Sequence, residues 1–365
     1  MKKLIVAVGF LVLTLFSKQL FSDDLETGLD NQTLFAHKKI LILGGTGFLG
    51  RALIEELSKY EPSEIVVYSR DEVKHFNLTK IFPHNTKIRS VFGDIRDYDH
   101  LLQVTKDIDY VFHLAALKRI DDLELNVQEG IKTNILGSLN VFNACVANGV
   151  KKVLFISTDK ACSPVNAYGA SKFISEKIFT NYDRSRIKTV FLATRYGNIL
   201  DSTGSIIPIF SEKIKKGEEL TLTDPRMTRF VIDKTDAIKL ILDAFRYGVG
   251  GEVFVRKLPS TKISDLIDVL KKHFNATNHV RVTGLRPGEK IHEILINRAE
   301  VPRVIVFNDY FIITPSIENG EAPTTPVYAK KGVRLSEDVM TGFSSKDALV
   351  TQEALEGILK QAKLM

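Results

Sequence analysis

Cysteine is scarce in this chain, and tryptophan is absent. The two cysteines, Cys145 and Cys162, lie far apart without CxxC spacing, which argues against a disulfide framework or a zinc site and favours reduced thiols. The eight histidines do not cluster along the chain. His292 and Glu293 begin an HExxH pattern, but Ile296 stands where the second histidine of a metalloprotease would be. We therefore predict no bound metal.

A run of apolar residues long enough to cross a membrane is also missing. Residues 4–16, which follow Lys2 and Lys3, are mostly apolar but fall short of the roughly 20 residues that a bilayer-spanning helix needs. The order of basic and then apolar residues resembles a signal peptide, although a good small-residue cleavage site does not follow. We interpret the segment as a short membrane anchor or an overextended start, and we expect the body of the protein in the cytoplasm.

The charge pattern gives no sign of a nucleic-acid partner. The formal net charge is +6, from 50 basic and 44 acidic residues, and the basic residues form no stripe interleaved with aromatics. A solvated surface explains this pattern better. With 44% hydrophobic and 26% charged residues, the composition is that of a globular protein with a full core.

Short apolar runs alternate with helical patterns from Lys39 onward. Consecutive apolar positions are typical of parallel strands that are buried on both faces. The predicted strands cover residues 39–43, 64–68, 87–92, 109–113, 152–157, 189–194 and 253–255, and the predicted helices cover 49–60, 134–148, 168–179 and 263–274. This alternation predicts an α/β fold with a Rossmann-type parallel sheet flanked by helices.

The strand–helix rhythm breaks after Arg195, where turn-rich sequence begins. We predict a smaller C-terminal α/β lobe that binds substrate. The predicted organisation is an N-terminal extension (1–36), a Rossmann domain (37–195, with 231–257 contributing), a substrate-binding lobe (196–230 and 258–345) and a C-terminal tail (346–365).

A glycine-rich turn follows the first strand directly and opens the first helix. Its residues, including the GxxGxxG glycines, are Gly44, Thr46, Gly47, Phe48, Leu49 and Gly50. Glycines let the backbone approach a pyrophosphate closely, and the helix N-terminus then offers free N–H groups to it. The placement between strand and helix predicts a dinucleotide site.

The end of the second strand bears on which dinucleotide binds. An NAD site uses an acidic residue there to hold the ribose hydroxyls, whereas this strand ends in Ser69 and Arg70, which suit a 2′-phosphate. Asp71 keeps NAD as an alternative, and a surface ion pair is the alternative for Arg70. We favour NADP. The other predicted cofactor contacts are Lys74 and Ile95, together with Asp94 towards the adenine and Ala115 towards the nicotinamide.

The candidate chemical residues follow the fifth strand. Thr158, Asp159 and Lys160 stand at the carboxyl edge of the sheet, where such folds bind ligands. Tyr168 and Lys172 then share one helix face at i and i+4. An ammonium near Tyr168 would lower its phenol pKa and let it exchange a proton with a sugar hydroxyl, and Lys172 could also hold the nicotinamide ribose. A YxxxK match alone occurs often by chance.

Longer motifs make the sequence resemble one enzyme family closely. STDKACSPVNAYGASK, HLAALKRI, IKTNILGSLNV, RYGNIL, TDPRMTRF and GLRPGEKIHE resemble the inverting UDP-N-acetylglucosamine 4,6-dehydratases of bacterial polysaccharide and pseudaminic-acid biosynthesis. The resemblance runs from about residue 31 to about residue 317. It implies oxidation of the sugar at C4, loss of water across C5 and C6, and return of the hydride to C6. It also implies a homo-oligomer.

The resemblance also implies roles for individual residues. Asp159 would be the acid for the departing C6 hydroxyl, and Lys160 the base for the C5 proton, for which it must be neutral; burial and neighbouring Lys172 would favour that state. Thr158 would bind the substrate near C4. The remaining implied substrate contacts are Lys118, Asn198, Arg229 and Arg286. Ordinary ion pairing with Asp224 or Glu289 is the alternative for the two arginines.

Three functional hypotheses therefore remain open. The favoured one is an NADP-dependent UDP-N-acetylglucosamine 4,6-dehydratase that inverts C5. A nucleotide-sugar 4-epimerase or reductase of the same fold is the second, and Lys160 argues against it because an epimerase needs no C5 base. The third is a non-catalytic NADP-binding scaffold, against which the intact set Asp159, Lys160, Tyr168 and Lys172 argues.

Overall fold

The apolar runs that predict buried strands form the centre of a ten-stranded sheet in the computed structural model of the chain. The structure describes residues 30–83, 85–202, 204–316, 326–336, 338 and 340–365, so the apolar segment 4–16 lies outside the described residues. The strands are β1 (Lys39–Leu43), β2 (Glu64–Ser69), β3 (Ile88–Phe92), β4 (Tyr110–His113), β5 (Lys152–Ile156), β6 (Val190–Arg195), β7 (Asn198–Ile199), β8 (Leu220–Leu222), β9 (Thr228–Ile232), β10 (Val253–Arg256), β11 (Ser260–Lys262), β12 (Val280–Val282), β13 (Ile294–Ile296), β14 (Val304–Phe307), β15 (Tyr310–Ile313), β16 (Val333–Arg334) and β17 (Phe343–Ser344).

Helices cover both faces of this sheet, and further helices follow in the C-terminal part of the chain. They are α1 (Asn31–Phe35), α2 (Phe48–Leu57), α3 (Glu72–Ile81), α4 (Tyr98–Val104), α5 (Ile120–Leu125), α6 (Val127–Gly130), α7 (Gly137–Ala147), α8 (Ala167–Thr180), α9 (Ile206–Lys215), α10 (Lys234–Tyr247), α11 (Ile263–His273), α12 (Val327–Lys331) and α13 (Gln352–Gln361). A π-helical stretch, Ile131–Leu136, precedes α7. None of the helices in the described part of the chain is long and apolar enough to cross a membrane.

Seven strands of the main sheet run parallel, in the order β3-β2-β1-β4-β5-β6-β10. This is the doubly wound Rossmann order, and it confirms the predicted fold class and strands. The strand order reverses between β1 and β4, and folds of this kind bind ligands outside the carboxyl ends of the strands at that point. Topology alone therefore brings the turn after β1 and the residues after β5 to one edge.

The far edge of the sheet differs from the prediction of a purely parallel sheet. Strands β15, β14 and β16 continue it beyond β10 in antiparallel fashion. The predicted substrate lobe, 258–345, included these residues, so its boundary needs correction. All eight residues of β14 and β15 are buried, and such continuous apolar strands stabilise a sheet that is covered on both faces.

Both ends of the described chain also belong to packed cores. Phe35 of α1 is fully buried in the main core, so the extension predicted for residues 1–36 ends earlier than proposed. At the other end, Leu355 and Leu359 of α13 pack with Leu266 and Leu270 of α11 in a second core. The residues predicted as a tail, 346–365, therefore pack in the second core.

A buried arginine ties helix α8 to the segment around β13. Arg195, at the end of β6, is fully buried and binds Glu176 of α8 at 2.5 Å (Nη2 to Oε1) and Glu300 at 2.9 Å (Nη2 to Oε1). Its Nη1 also donates to the carbonyl of Leu295 in β13 at 2.8 Å. Two carboxylates and one carbonyl thus compensate the desolvation of one guanidinium.

Replacing Arg195 with methionine should destabilise the protein strongly. Arg195→Met keeps most of the side-chain volume but leaves Glu176 and Glu300 buried without their cation, which costs about 3–5 kcal/mol. Urea unfolding followed by circular dichroism measures the loss.

The matched control is Arg89→Met, which removes the exposed ion pair between Arg89 and Glu64. It should change the free energy of unfolding by less than about 1 kcal/mol. Equal losses of unfolding free energy in the two variants would contradict the larger contribution to stability that we assign to the buried ion pairs of Arg195.

Candidate active site

The glycine-rich turn after β1 is closed so tightly that side chains do not fit in it. Gly44 has a positive φ of 79°, and a Cβ on it would lie 2.8 Å from the backbone nitrogen of Ala115. A Cβ on Gly50 would lie 2.4 Å from the carbonyl oxygen of Gly45. The turn therefore brings the first turn of α2, which begins after Gly47, against the carboxyl ends of β1 and β4.

This helix N-terminus opens into a cleft of about 640 Å³ along the carboxyl edge of the sheet. The structure brings together here every residue that the sequence predicted for the cofactor. The cleft is lined by Gly44, Thr46, Gly47, Phe48, Leu49, Gly50, Ser69, Arg70, Lys74, Asp94, Ile95, Ala115, Tyr168 and Lys172. Lys118, Thr158, Lys160 and Asn198, predicted for chemistry or substrate, line it as well.

At one end of the cleft, the tip of β2 is tied down by a histidine. The hydroxyl of Ser69 lies 2.9 Å from both Thr46 Oγ1 and His75 Nε2. Asp71 caps α3, accepting from the backbone of Lys74 at 3.0 Å, and also pairs with the Lys74 ammonium at 2.9 Å. The carboxylate of Asp71 is thus engaged within its own helix.

Arg70 lies beside this cap with about half of its side chain exposed, and its Nη1 is 3.5 Å from Asp94 Oδ2. Asp94 also binds Arg96 at 2.6 Å. Although burial opposes ionisation, the bonds from Arg96 and the charge of Arg70 lower the pKa of Asp94. This end of the cleft therefore presents a guanidinium held by a weak ion pair.

Tyr168 and Lys172 also line the cleft, and the ammonium of Lys172 is directed at a backbone carbonyl. Lys172 is 3% exposed and donates to the carbonyl of Ile156 at 2.5 Å, with its ammonium 3.9 Å from the centre of the Phe155 ring. Burial lowers the pKa of Lys172 to about 7.

Tyr168 is influenced by a different lysine. Burial raises the pKa of Tyr168 to about 12, and the charge of Lys160, not Lys172, opposes that rise. The predicted lowering of the phenol pKa by Lys172 is therefore wrong in this structure, because the ammonium of Lys172 is turned towards the backbone of β5.

Asp159 and Lys160 form a buried ion pair directly after β5. Asp159 is completely buried, and its Oδ1 lies 3.0 Å from Lys160 Nζ and 2.9 Å from the hydroxyl of Thr158. Its Oδ2 has no hydrogen-bond partner among the described residues. Asp159 lies beneath the cleft surface, which Lys160 and Thr158 line.

The predicted neutral state of Lys160 needs correction. Burial disfavours its charged form, but the carboxylates of Asp159 and Glu293 outweigh burial and raise the pKa of Lys160. Lys160 Nζ is 3.7 Å from Glu293 Oε1, a partner that sequence reasoning did not supply. The pKa of Lys160 is therefore shifted upward, whereas burial lowers the pKa of Lys172 and of Lys118, which lines the same cleft.

The two arginines predicted for the substrate are held in other contacts. Arg229 donates to the carbonyls of Thr228 and Ile291 at 2.7 and 3.1 Å. Arg286 pairs with Glu289 at 2.5 Å, the alternative that the sequence left open, and with Asp121 at 3.3 Å. Neither arginine lines the described cleft.

Sequence reasoning missed three polar residues around the cleft. His75 fixes Ser69, and Glu293 faces Lys160. Asn134 is buried in the π-helical stretch and bonds both backbone groups of Leu117 and, through Nδ2, the hydroxyl of Ser171 in α8. Local irregularities of this kind often mark functional sites.

The cleft, the glycine turn and the strand order define a nucleotide-binding enzyme of the Rossmann-type dehydrogenase class. Comparison with known proteins narrows this class. Residues 40–315 match the family described as "Polysaccharide biosynthesis protein", and the chain belongs to that family.

Several characterised relatives are similar over most of the chain. The inverting UDP-N-acetylglucosamine 4,6-dehydratase of Campylobacter jejuni (serotype O:23/36, strain 81-176) is 44% identical, over 78% of this chain and 85% of that protein. The UDP-glucose 4-epimerase of Rickettsia bellii (strain OSU 85-389) is 40% identical, over 84% of this chain and 91% of that protein. Among solved structures, Pen from Bacillus thuringiensis is 33% identical, with a TM-score of 0.83 over 91% of this chain and 99% of that chain.

The lowered pKa of Lys172 predicts a specific pH dependence of stability. Its folded pKa of about 7 lies below the value of 10.5 for an exposed lysine, so the unfolded chain binds more protons between these values. Lys172 therefore makes the protein less stable as the pH falls through this window. Relative to the wild type, Lys172→Met should gain about 1.4 kcal/mol per pH unit in free energy of unfolding as the pH falls from about 10 to about 7.

Urea unfolding at several pH values measures this slope. The control is Lys106→Met at an exposed lysine, which should run parallel to the wild type. If the free energy of unfolding of Lys172→Met also varied with pH in parallel to that of the wild type, the lowered pKa of Lys172 would be contradicted.

Proposed function

We propose that this protein is an NADP-dependent UDP-N-acetylglucosamine 4,6-dehydratase that inverts C5 and forms a UDP-linked 4-keto-6-deoxy sugar. The observation that carries the proposal is the buried pair of Asp159 and Lys160, 3.0 Å apart beside Tyr168 at the cleft. The names of the Campylobacter relatives support the same activity. The product would enter a surface polysaccharide or a pseudaminic-acid type of glycan.

The cleft fits a nicotinamide dinucleotide. Its glycines leave no room for side chains where a pyrophosphate would approach, and α2 directs its free N–H groups there. A related fold with NAD in its description, DesIV, is 23% identical with a TM-score of 0.64, which supports the fold only. When bound, the cofactor would accept the C4 hydride and return it to C6, so that no net oxidation occurs.

In this proposal Tyr168 exchanges the proton of the C4 hydroxyl. Because burial raises its pKa to about 12, Tyr168 needs a nearby cation to become a phenolate, and Lys160 supplies that charge. Thr158, Lys118 and Asn198, at the same cleft, would hold the sugar. Arg229 and Arg286 would turn from their present partners to the diphosphate or the uridine.

The elimination needs a base for the C5 proton and an acid for the C6 hydroxyl. A proton moving from Lys160 Nζ to Asp159 Oδ1, along their hydrogen bond of 3.0 Å, creates both at once. The neutral amine of Lys160 then takes the C5 proton, whose acidity the C4 ketone raises, while Asp159 protonates the departing hydroxyl to give water. After this step Lys160 is an ammonium and Asp159 a carboxylate, as in the free enzyme.

NADP is favoured over NAD by the end of the cleft at β2. The Asp71 carboxylate, the one candidate for the ribose hydroxyls of NAD, caps α3 and pairs with Lys74. Arg70 has only a weak ion pair to exchange for a 2′-phosphate.

A 4-epimerase is the second candidate, and the similarity to the Rickettsia protein favours it. An epimerase oxidises and reduces C4 alone and has no use for a base at C5. The buried Asp159 and Lys160 are costly to retain without such a use, which supports the dehydratase.

The dehydratase proposal can be tested by incubation with UDP-N-acetylglucosamine in D2O, followed by proton NMR. We expect a 4-keto-6-deoxy sugar with deuterium at C5 and inverted configuration. Lys160→Ala should lose about 100- to 10,000-fold in rate, because a general base is missing. The same variant should still bind NADPH, since Lys160 lies outside the glycine turn.

Exchange between gluco and galacto forms without loss of water would support the epimerase instead. An unchanged sugar would refute both enzyme proposals and leave the non-catalytic scaffold. Full dehydration by Lys160→Ala would remove Lys160 from its role as the base.

Cofactor choice can be tested at Arg70. In Arg70→Ala, NADPH should bind roughly 10- to 100-fold more weakly, as expected for loss of a charge-assisted bond to phosphate. NADH affinity should stay the same, because NADH has no 2′-phosphate. Fluorescence titration with both dinucleotides makes the comparison.

Arg89→Ala, an exposed arginine on the neighbouring strand β3, is the control. Equal losses for NADH and NADPH in Arg70→Ala would contradict a role in reading the 2′-phosphate.

We also propose a homo-oligomer. Exposed apolar side chains on neighbouring helices support it, among them Leu125, Val127, Leu139 and Ile174. Membrane association and a cytoplasmic location stay predictions.

A further inference from the structure

A second carboxylate, Glu293, lies behind the proposed acid–base pair. It directly precedes β13 and is 3% exposed. Its backbone is fixed on both sides by Ser345, whose hydroxyl accepts from Glu293 N at 2.9 Å and whose backbone N–H donates to Glu293 O at 2.8 Å. Glu293 therefore reaches Lys160 from the segment before β13, whereas Asp159 and Lys160 directly follow β5.

Three cations surround this carboxylate. Glu293 Oε1 lies 3.7 Å from Lys160 Nζ and 3.8 Å from Arg229 Nε, and Oε2 lies 3.7 Å from Lys290 Nζ. Oε2 has no hydrogen-bond partner among the described residues. Arg229 and Lys290 give their shorter bonds to backbone carbonyls, of Thr228, Ile291 and Cys162. The Glu293 carboxylate is therefore held by electrostatic attraction to three cations and not by short hydrogen bonds. Arg229 and Lys290 have backbone hydrogen bonds of their own, which do not depend on the contact between Glu293 and Lys160.

The charged neighbours of Lys160 lie on several elements. Asp159 and Glu293 attract its proton, Arg229 opposes it, and the hydroxyl of Tyr168 lies within range of its charge. When Lys160 passes its proton to Asp159, Glu293 still has Arg229 and Lys290 to balance its own charge. Its carboxylate therefore favours the return of a proton to Lys160, 3.7 Å away.

We propose that Glu293 is a positioning residue for the elimination: it holds Lys160 between two carboxylates and makes it a stronger base towards C5. This inference rests on the dehydratase function proposed above. The net proton transfer is unchanged by it, because Glu293 neither gains nor loses a proton. What changes is the driving force with which the Lys160 amine takes the C5 proton.

The test uses Glu293→Gln, which keeps the shape and removes the charge, and Glu293→Asp, which draws the charge back by one methylene. The rate of product formation is measured against pH, together with KM and NADPH binding. Loss of a carboxylate 3.7 Å away should lower the proton affinity of Lys160. In Glu293→Gln we expect a kcat at least tenfold lower than in the wild type. We also expect the rate to fall on the alkaline side of its pH profile at a pH more than one unit below that of the wild type.

Glu293→Asp should fall between the wild type and Glu293→Gln in kcat and in the position of its pH profile. KM and the affinity for NADPH should stay within about threefold of the wild type in both variants. This graded shift distinguishes a charge effect from a structural one. If Glu293→Gln does not fold, the shift in Glu293→Asp carries the test.

Two results would overturn the inference. One is a pH profile of the rate that is the same in the folded variants as in the wild type. The other is an equal loss of rate in both variants without a shift of the pH profile, which would indicate that Glu293 acts only through packing. A wild type that forms no 4-keto-6-deoxy product would instead overturn the dehydratase proposal, and the role of Glu293 with it.

Discussion

The site depends on the burial of one guanidinium, that of Arg195. It binds Glu176 on the helix that carries Tyr168 and Lys172, and Glu300 and the Leu295 carbonyl in the lobe segment that carries Glu293. Breaking such a network leaves uncompensated charge in the interior. The helix that carries Tyr168 and the segment that carries Glu293 are thereby held by the same buried cation, although they come from distant parts of the chain.

Two lysines of the site, Lys160 and Lys172, have pKa values shifted in opposite directions. Burial lowers the pKa of Lys172 to about 7, and the charge of Glu176, which also binds Arg195, opposes this shift only in part. Lys160, between Asp159 and Glu293, keeps its proton despite burial. A desolvated lysine is therefore neutral or charged according to how many carboxylates face it, and sequence spacing does not reveal that number.

Local patterns predicted the parts of the fold and site that local chemistry determines. The buried parallel strands, the glycine turn and the cleft lining from Ser69 to Lys172 were all readable, because each depends on residues close in sequence. The antiparallel strands β14 and β15 were assigned to the lobe, since a short apolar hairpin carries no sign of which sheet it joins. Glu293 and Asn134 were missed for a similar reason: their partners, Lys160 and Ser171, are distant in the chain and become neighbours only on folding.

The position of α1 determines how the molecule can be attached to anything else. Phe35 packs among Tyr60, Tyr110, Phe112 and Phe245, and the chain then enters β1 at its amino end. The cleft lies at the opposite, carboxyl end of the same strand. A tether whose path reaches the body of the protein at Asp30 would therefore meet it at the end of the strands opposite the cleft.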